Sequence, residues 1–347
     1  MIPYPASGLG RTWRSKTRAG LAAVMLLAGA AGGTAWAVSP AASGPARPVL
    51  VRVPAGATAA EIGKELAARH LIRSALAFRL WIQGLGASRS LRAGEYRLSP
   101  AWPLARIVRV FAEGDIVTYR VTIPEGFTVR EIVDRLAAAH VATRRALWHA
   151  VREGLPGLRP PQGVKDPVEG FLFPDTYVFP AGTPARQIIL TMWADFRRRT
   201  APLLPLVRRR HLSLWEWVTL ASLVQAEARD AADAPKVAAV FRNRLDAGMD
   251  LQSDATVRYA LGDHVQGPLS LQDLRTPSPY NTYRRPGLPP GPIDCPGLVA
   301  LRAAAAPAAV PYLYFVAAPN GRLLFATTYA QHQANVARVA GGRPGAS

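Results

Sequence analysis

Residues 213–254 read SLWEWVTLASLVQAEARDAADAPKVAAVFRNRLDAGMDLQSD. Ser213 and Glu216 form the S-x-x-E capping box that opens a helix. The apolar residues that follow at helical spacing, and that give this helix a buried face, are Trp217, Leu220, Ala221 and Val224. A break follows, then a second helix over residues 236–245 that Gly248 ends, and then a polar loop. The rest of the chain is organised around this pair of helices.

Glu227 stands at the edge of the apolar face of the first helix. It lies seven residues after Leu220 and three after Val224. A carboxylate against apolar walls is costly to ionise, so its pKa rises toward neutrality, which suits a general acid. The spacing equally fits an exposed glutamate, or one paired with an arginine, and structural carboxylates are commoner than catalytic ones.

The composition favours a folded protein and argues against a nucleic-acid partner. The 347 residues are 49% hydrophobic, which allows two or three domains with substantial cores. The net charge is 42 − 23 = +19, but the basic residues are spread along the chain instead of forming one stripe. Cys295 is the only cysteine, so no intrachain disulfide forms, and the six histidines show no metal-ligand spacing. We expect neither a metal nor a cofactor.

The N-terminal region predicts a membrane anchor. Residues 19–38 (AGLAAVMLLAGAAGGTAWAV) carry no charge and match the roughly 30 Å hydrocarbon core of a bilayer. Basic residues precede this run, so residues 1–18 are expected in the cytoplasm and the remaining chain outside it. The alternative is a cleaved signal peptide, since residues 35–37 fit the A-x-A rule. Residues 39–50 are a Pro/Ala/Ser linker.

An internal repeat divides the exported part. VRVPAGATAAEI (51–62) matches VTIPEGFTVREI (121–132) with an offset of 70 residues, and the match extends to His70 and His140. Each copy predicts a strand, a Pro-x-Gly turn and a helix that starts with a capping box. We interpret residues 51–116 as a small LysM-like α/β module and residues 117–347 as a mixed domain, which gives an α+β protein. Units of this kind often bind ligands, but duplication for packing alone explains the repeat equally well.

Three further segments carry candidate binding residues. EGFLFPDTY (169–177) suits either a sugar-binding surface or a buried aromatic corner. Gln252, Asp254 and Thr256 alternate, so as a strand they would point the same way.

The third segment, residues 276–296, is a long Pro/Gly-rich loop of the kind that often carries function. Tyr280, Asn281, Thr282 and Tyr283 lie at its centre, and we expect the side chain of Asn281 to be exposed. Two strands over residues 312–316 and 322–326 then form a hairpin, and a helix over residues 329–339 closes the chain.

Several segments together resemble the YceG-like family of endolytic murein transglycosylases. They are EGFLFPDTY (169–177), LASLVQAEARDAADAPKVAAVFRNRL (220–245), GMDLQSDATVRYALG (248–262), SPYNTYRRPGLPPGPIDCPG (278–297), PYLYFV (311–316) and FATTYAQH (325–332). The repeat and the N-terminal anchor also match, so the resemblance covers nearly the whole chain. The sequence departs from the family pattern at Gln225, the first of two acidic positions, at Ala255, often proline, and at Gln331, often glutamate.

The resemblance implies a catalytic role for Glu227, the second of those acidic positions. It implies lytic cleavage of the MurNAc–GlcNAc β-1,4 bond of nascent peptidoglycan strands, which leaves 1,6-anhydroMurNAc ends and terminates elongation. We expect glycan strands and the cytoplasmic membrane as partners, with the cell-wall synthesis machinery a further candidate. The candidates for positioning the sugar are Gln252, Asp254, Tyr280, Asn281, Thr282 and Tyr283. The alternative class is a membrane-anchored peptidoglycan-binding scaffold without activity.

Overall fold

A computed structural model describes residues 33–87, 91–262 and 267–341. The chain divides into two compact units, the first ending at Thr118 and also including Pro180–Gly182. Each unit has its own hydrophobic core. The domain boundary predicted from the sequence lies between residues 116 and 117, two residues before the end of the first unit at Thr118.

In the first unit, a short helical segment over residues 33–38 precedes three helices that are built on a two-stranded sheet. Its elements are β1 (Val49–Val53), α1 (Ala59–Ala68), α2 (Ala75–Gly84), β2 (Gly94–Leu98) and α3 (Leu104–Glu113). β1 pairs with β2 in antiparallel register, with Val51 opposite Tyr96. The ring of Tyr96 lies 4.3 Å from that of Phe111 on α3, and both side chains are fully buried. Aromatic burial of this size dominates the stability of a small core.

The second copy of the repeat has the same order of elements as the first. Its elements are β3 (Thr118–Thr122), α4 (Val129–Ala138), α5 (Arg144–Arg152), β4 (Thr176–Pro180) and α6 (Ala185–Thr200). β3 pairs with β4. His70 and His140 close the first helix of each copy with φ angles of 54° and 56°, a conformation uncommon outside glycine. The duplicated unit is therefore β-α-α-β-α, longer than the strand and helix that the sequence match covers.

The remaining elements of the second unit surround one central helix. They are α7 (Leu204–Arg209), α8 (Leu214–Glu227), α9 (Ala234–Asp246), α10 (Asp254–Leu261), α11 (Leu298–Ala305), β5 (Tyr314–Ala317), β6 (Leu323–Ala326) and α12 (Tyr329–Gly341), with 3-10 turns at Ala201–Leu203 and Asp273–Arg275. α8 packs against α9, α10 and α11. It is buried on all sides along most of its length, and the indole nitrogen of Trp217 donates to the carbonyl of Leu301 at 2.9 Å.

The structure confirms several local predictions, including the mixed α+β class. Ser213 and Glu216 exchange both hydrogen bonds of the capping box. β5 and β6 form the expected antiparallel hairpin. In EGFLFPDTY, Phe171 and Phe173 are buried, as the buried-corner interpretation requires.

The prediction that residues 252–256 alternate along a strand is wrong. Gln252 adopts a left-handed backbone with φ 51°, and α10 begins at Asp254. Thr256 is consequently buried inside the helix turn, where its hydroxyl donates to the carbonyl of Ser253. Gln252 and Asp254 are exposed, so only these two of the three residues remain available to a ligand.

Most of the predicted membrane anchor, residues 19–32, lies outside the described residues. None of the helices in the described ranges combines the length and apolar character needed to cross a bilayer.

Candidate active site

The C-terminus of α8 positions Glu227. Ala228 takes an extended conformation, and its amide donates to the carbonyl of Val224 at 2.8 Å, so Glu227 is the last helical residue. Two hydrogen bonds fix the last turns of this helix. The Ile293 amide donates to the hydroxyl of Ser222, and the Gly297 amide donates to the side-chain oxygen of Gln225. The backbone that carries Glu227 is thus fixed by the core, and the side chain projects from a rigid helix end.

A short hydrogen-bond relay orients the carboxyl group of Glu227. The Ser253 hydroxyl donates to its Oε1 at 2.7 Å. The Ser253 amide in turn donates to the hydroxyl of Thr282 at 3.0 Å, and the Gln252 amide donates to the Thr282 carbonyl at 3.1 Å. Thr282 and Ser253 are both buried. Thr282 is therefore held inside the protein, where it fixes the backbone of Gln252 and Ser253.

The environment of Glu227 favours the protonated carboxyl. Burial raises the pKa of Glu227, the hydrogen bond from Ser253 opposes that rise, and the negative charge of Asp254 adds to it. The position at a helix C-terminus disfavours the anion further, because the partial negative charge of the helix dipole lies there. A glutamate with a raised pKa can deliver a proton near neutral pH.

Glu227 opens into a cleft of about 300 Å³. The polar residues that line this cleft are Glu227, Arg244, Gln252, Ser253, Asp254, Tyr283 and His332. Its apolar wall includes Phe241, Leu251 and Phe315. A concave site with apolar walls and a few convergent polar groups is the usual form of a small-ligand or sugar subsite.

Asp254 and Tyr283 form a pair on one side of the cleft. The phenol of Tyr283 donates to Oδ1 of Asp254 at 2.7 Å. Burial and this hydrogen bond raise the pKa of Tyr283, so the phenol keeps its proton. Asp254 is exposed at the first turn of α10, where a carboxylate is favoured. The pair therefore presents one negative charge beside Glu227.

Arg244 and His332 also line the cleft, and the sequence analysis missed both. Arg244 donates through Nε to the Leu313 carbonyl at 2.7 Å and through Nη1 to the Leu251 carbonyl at 2.9 Å. His332 stacks on Tyr314 at 5.2 Å, and its buried Nδ1 has no hydrogen-bond partner within the described residues. Burial and the charge of Arg244 lower the pKa of His332. Spacing gives no signal for either residue, because each reaches Glu227 only through tertiary folding.

Asn281 and Tyr280 do not face the cleft. Asn281 is fully buried, and its amide nitrogen donates to the carbonyls of Leu274 and Thr276 at 2.9 and 3.0 Å. Its side-chain oxygen accepts from the amide of Tyr283 at 3.0 Å. The expectation that Asn281 is exposed is therefore wrong. Tyr280 is also buried, and its hydroxyl accepts from the amide of Lys165 at 3.2 Å.

We expect Asn281→Ala to destabilise the protein by about 2–4 kcal/mol, since it leaves two carbonyls and one amide without their partner. Thermal unfolding would measure this. Arg285→Ala, on the exposed face of the same loop, is the control and should stay within about 0.5 kcal/mol of the parent. An Asn281→Ala variant as stable as the parent would contradict this account of the loop.

We expect Ser253→Ala to raise the pKa of Glu227 further, because the hydrogen bond that lowers it is removed. The alkaline limb of the pH–rate profile should move to higher pH, with a lower maximal rate because the carboxyl group is less well oriented. Ser213→Ala removes the N-cap at the other end of α8. This control substitution should lower the free energy of unfolding by about 1 kcal/mol, and the alkaline limb of its pH–rate profile should stay at the pH of the parent. An unchanged limb in Ser253→Ala would exclude Ser253 as a positioning residue.

A second cavity of about 380 Å³ is lined in part by Ala226 and Ala255, the sequence neighbours of Glu227 and Asp254. Glu169 is fully buried in its wall and accepts from the Val129 amide at 2.9 Å and from the Tyr259 hydroxyl at 3.1 Å. Burial raises the pKa of Glu169 to about 8. Asp294 is also buried there, burial raises its pKa well above the ordinary value, and its Oδ1 has no partner among the described residues.

No cluster of three or more His, Cys, Asp or Glu residues in the described ranges is arranged to hold a metal ion. The ionisable groups that line the cleft are carboxyl groups, a phenol, an imidazole and a guanidinium group.

The described architecture is a duplicated β-α-α-β-α unit followed by helices that carry a cleft lined by Glu227 and Asp254. Residues 51–338 match the YceG-like family. The chain belongs to this family.

Relatives and a solved structure agree with the family. The chain is 31% identical over 299 residues to the endolytic murein transglycosylase of Bacillus subtilis (strain 168), covering 82% of each chain. It is 30% identical over 320 residues to the protein of the same name from Streptococcus pneumoniae serotype 2, covering 83% of this chain and 58% of that one. A YceG-like protein of Listeria monocytogenes, crystallised at 2.6 Å, superposes with a TM-score of 0.56 at 32% identity, covering 84% of this chain and all of that one.

Proposed function

We propose that the chain is an endolytic murein transglycosylase with Glu227 as its acid–base residue. The observation that carries the proposal is the position of Glu227 in the cleft, where Ser253 orients its carboxyl group and burial raises its pKa. The names of relatives about 30% identical over most of the chain support the same reaction.

The proposed reaction needs one carboxyl group. Protonated Glu227 gives its proton to the glycosidic oxygen between MurNAc and GlcNAc as the C1–O bond breaks. The ionised carboxylate then takes the proton of the MurNAc 6-hydroxyl, whose oxygen closes on C1 to form the 1,6-anhydro ring. Glu227 ends the cycle protonated, and no water is consumed. A two-carboxylate hydrolase would instead need a second group to activate water.

The other cleft residues suit the binding of the sugar. The negative charge of Asp254, held by Tyr283, would stabilise positive charge that develops on the sugar ring. Gln252 is exposed at the cleft edge and is available to a sugar hydroxyl or acetamido group. In this proposal Thr282, Asn281 and Tyr280 act indirectly, by holding the loop and the Ser253 relay in place.

Product analysis in oxygen-18 water tests the reaction. Purified glycan strands incubated with the protein should yield 1,6-anhydroMurNAc ends without uptake of oxygen-18. A reducing end that carries oxygen-18 would mean hydrolysis. Absence of any cleavage would favour a non-catalytic peptidoglycan-binding scaffold.

We also propose that the enzyme acts at the outer face of the cytoplasmic membrane on nascent strands. The uncharged run at residues 19–38 and the basic residues before it support this location. N-terminal sequencing of the membrane-fraction protein tests it. A mature chain that begins at Val38 would instead indicate a cleaved signal peptide.

A further inference from the structure

The two copies of the repeat present the same backbone turn after their first strand. Gly56 and Gly126 have φ angles of 80° and 78°. Each is followed two residues later by a threonine that caps the next helix with the glutamate three residues beyond it. The two turns therefore have the same backbone conformation. A segment that pairs with the turn of one copy shows how a segment could pair with the turn of the other copy.

In the second copy this turn is occupied by an extended segment of the chain itself. The amide of Gly126 donates to the carbonyl of Cys295 at 3.0 Å, and the amide of Cys295 donates to the carbonyl of Phe127 at 2.8 Å. These two bonds form an isolated antiparallel bridge. The space above Gly126 is covered, since a Cβ there would lie 3.5 Å from the side chain of Gln225.

In the first copy the equivalent turn is open. A Cβ on Gly56 would meet nothing within 4 Å. The amide of Gly56 makes no hydrogen bond to any other residue in the described ranges. A groove of about 510 Å³ runs along β1 and this turn to α1, where Glu61, Ile62 and Glu65 line it. An unpaired strand edge beside a groove is the structure that binds extended peptides.

We propose that this groove binds a short extended polypeptide segment of a partner protein. One residue of that segment would pair with the Gly56 amide and the Ala57 carbonyl, as Cys295 pairs with Gly126 and Phe127 in the second copy. Because the groove lies wholly within the first unit, the proposal is independent of the glycan cleavage assigned to Glu227.

Charge identifies the chemistry of the segment. In the second copy the residue before the paired cysteine is Asp294, whose pKa is raised first by burial and then by the nearby negative charges of Glu169 and Glu131. Glu61 occupies the position of Glu131 in the first copy, and Glu65 replaces the basic residue Arg135. An acidic residue in the bound segment would be repelled there. We therefore expect the partner to carry lysine or arginine immediately before the paired residue.

Hydrogen exchange on the full chain in detergent tests the proposal. The probe is the synthetic peptide GPIKSPG, which is the sequence of residues 291–297 with Asp294→Lys and Cys295→Ser. With the peptide present, amide exchange in the segment 51–58 should slow at least about tenfold, a change typical of ordering an exposed edge. The segment 121–128 should not change, because its turn is already occupied.

Two matched peptides and one protein variant separate pairing from unspecific binding. A peptide N-methylated at the serine lacks the donor for the Ala57 carbonyl and should give no protection. Restoring aspartate before the serine should weaken binding, and so should Glu61→Gln, since glutamine keeps the capping box but removes the charge. The proposal would be overturned if all three peptides protected the segment equally, or if GPIKSPG gave no protection. It would also be overturned if a glycan fragment without peptide stems protected the segment when added instead of GPIKSPG.

Discussion

Glu227→Gln should fold, bind glycan strands and cleave them at least about 10²–10⁴-fold more slowly than the parent, the usual contribution of positioned acid–base catalysis. Glutamine nearly matches the shape of glutamate, and its side-chain oxygen can still accept from the Ser253 hydroxyl that now bonds Oε1. The amide can neither give a proton to the glycosidic oxygen nor take one from the 6-hydroxyl. The rate of release of anhydro-ended fragments from purified strands measures the loss.

Glu216→Gln is the matched control for this substitution. Glu216 lies on the same helix, at the third position of the capping box, where glutamine is also accepted. The control should cleave glycan at close to the parent rate. Parent-like cleavage by Glu227→Gln would move the catalytic role to another carboxyl group, with Asp254 in the cleft and Glu169 behind it the next to test.

The pH dependence of the parent follows from the same residue. Burial raises the pKa of Glu227, so the acid form persists above the range of an ordinary glutamate. Because the protonated form starts the reaction, activity should fall as pH rises through that raised pKa.

The local features of the site could be predicted from the sequence, because each depends on neighbouring residues. The capping box at Ser213 and the spacing of apolar residues along α8 predicted the helix and put Glu227 at the edge of its apolar face, but they did not predict that Glu227 is the last helical residue. The resemblance to the YceG-like family, not the spacing, then favoured a catalytic role over an exposed or paired glutamate.

The rest of the site depends on contacts between residues far apart in the sequence. Ser253 is hydrogen-bonded to Glu227, which lies 26 residues away in the sequence, and Thr282 is hydrogen-bonded to Ser253, which lies 29 residues away. Composition identified the Pro/Gly-rich loop, but not that Asn281 turns inward to bond Leu274 and Thr276. The second half of the repeat was not predicted. The later strand and helices of the two copies follow the same order, but they have no sequence motif in common.

The buried carboxyl group of Glu169 should make the stability of the protein fall with rising pH. Its pKa is about 8 in the folded chain against an ordinary value of 4.5. Between these values the folded state holds a proton that the unfolded state has lost. The free energy of unfolding therefore decreases by up to about 1.4 kcal/mol for each pH unit across this window. Asp294 and Glu227 also have raised pKa values and act in the same direction.

Glu169→Gln should reduce this slope and make the protein more stable than the parent near pH 8. Glutamine does not ionise, and its oxygen can still accept from the Val129 amide in the first turn of α4. Thermal or urea unfolding at intervals from pH 5 to pH 8, where the linkage applies, measures the slope. At pH 5 the two proteins should differ least, because Glu169 is protonated in the folded parent.

Tyr259→Phe supplies the opposite perturbation. The Tyr259 hydroxyl donates to Glu169 and favours its anion, so its removal should raise the pKa of Glu169 and extend the window of falling stability to higher pH. Loss of one buried hydrogen bond should also lower stability at every pH by about 1 kcal/mol. A parent-like slope in Glu169→Gln would show that Glu169 is ionised in the folded protein, and the falling stability would then have to come from Asp294 and Glu227.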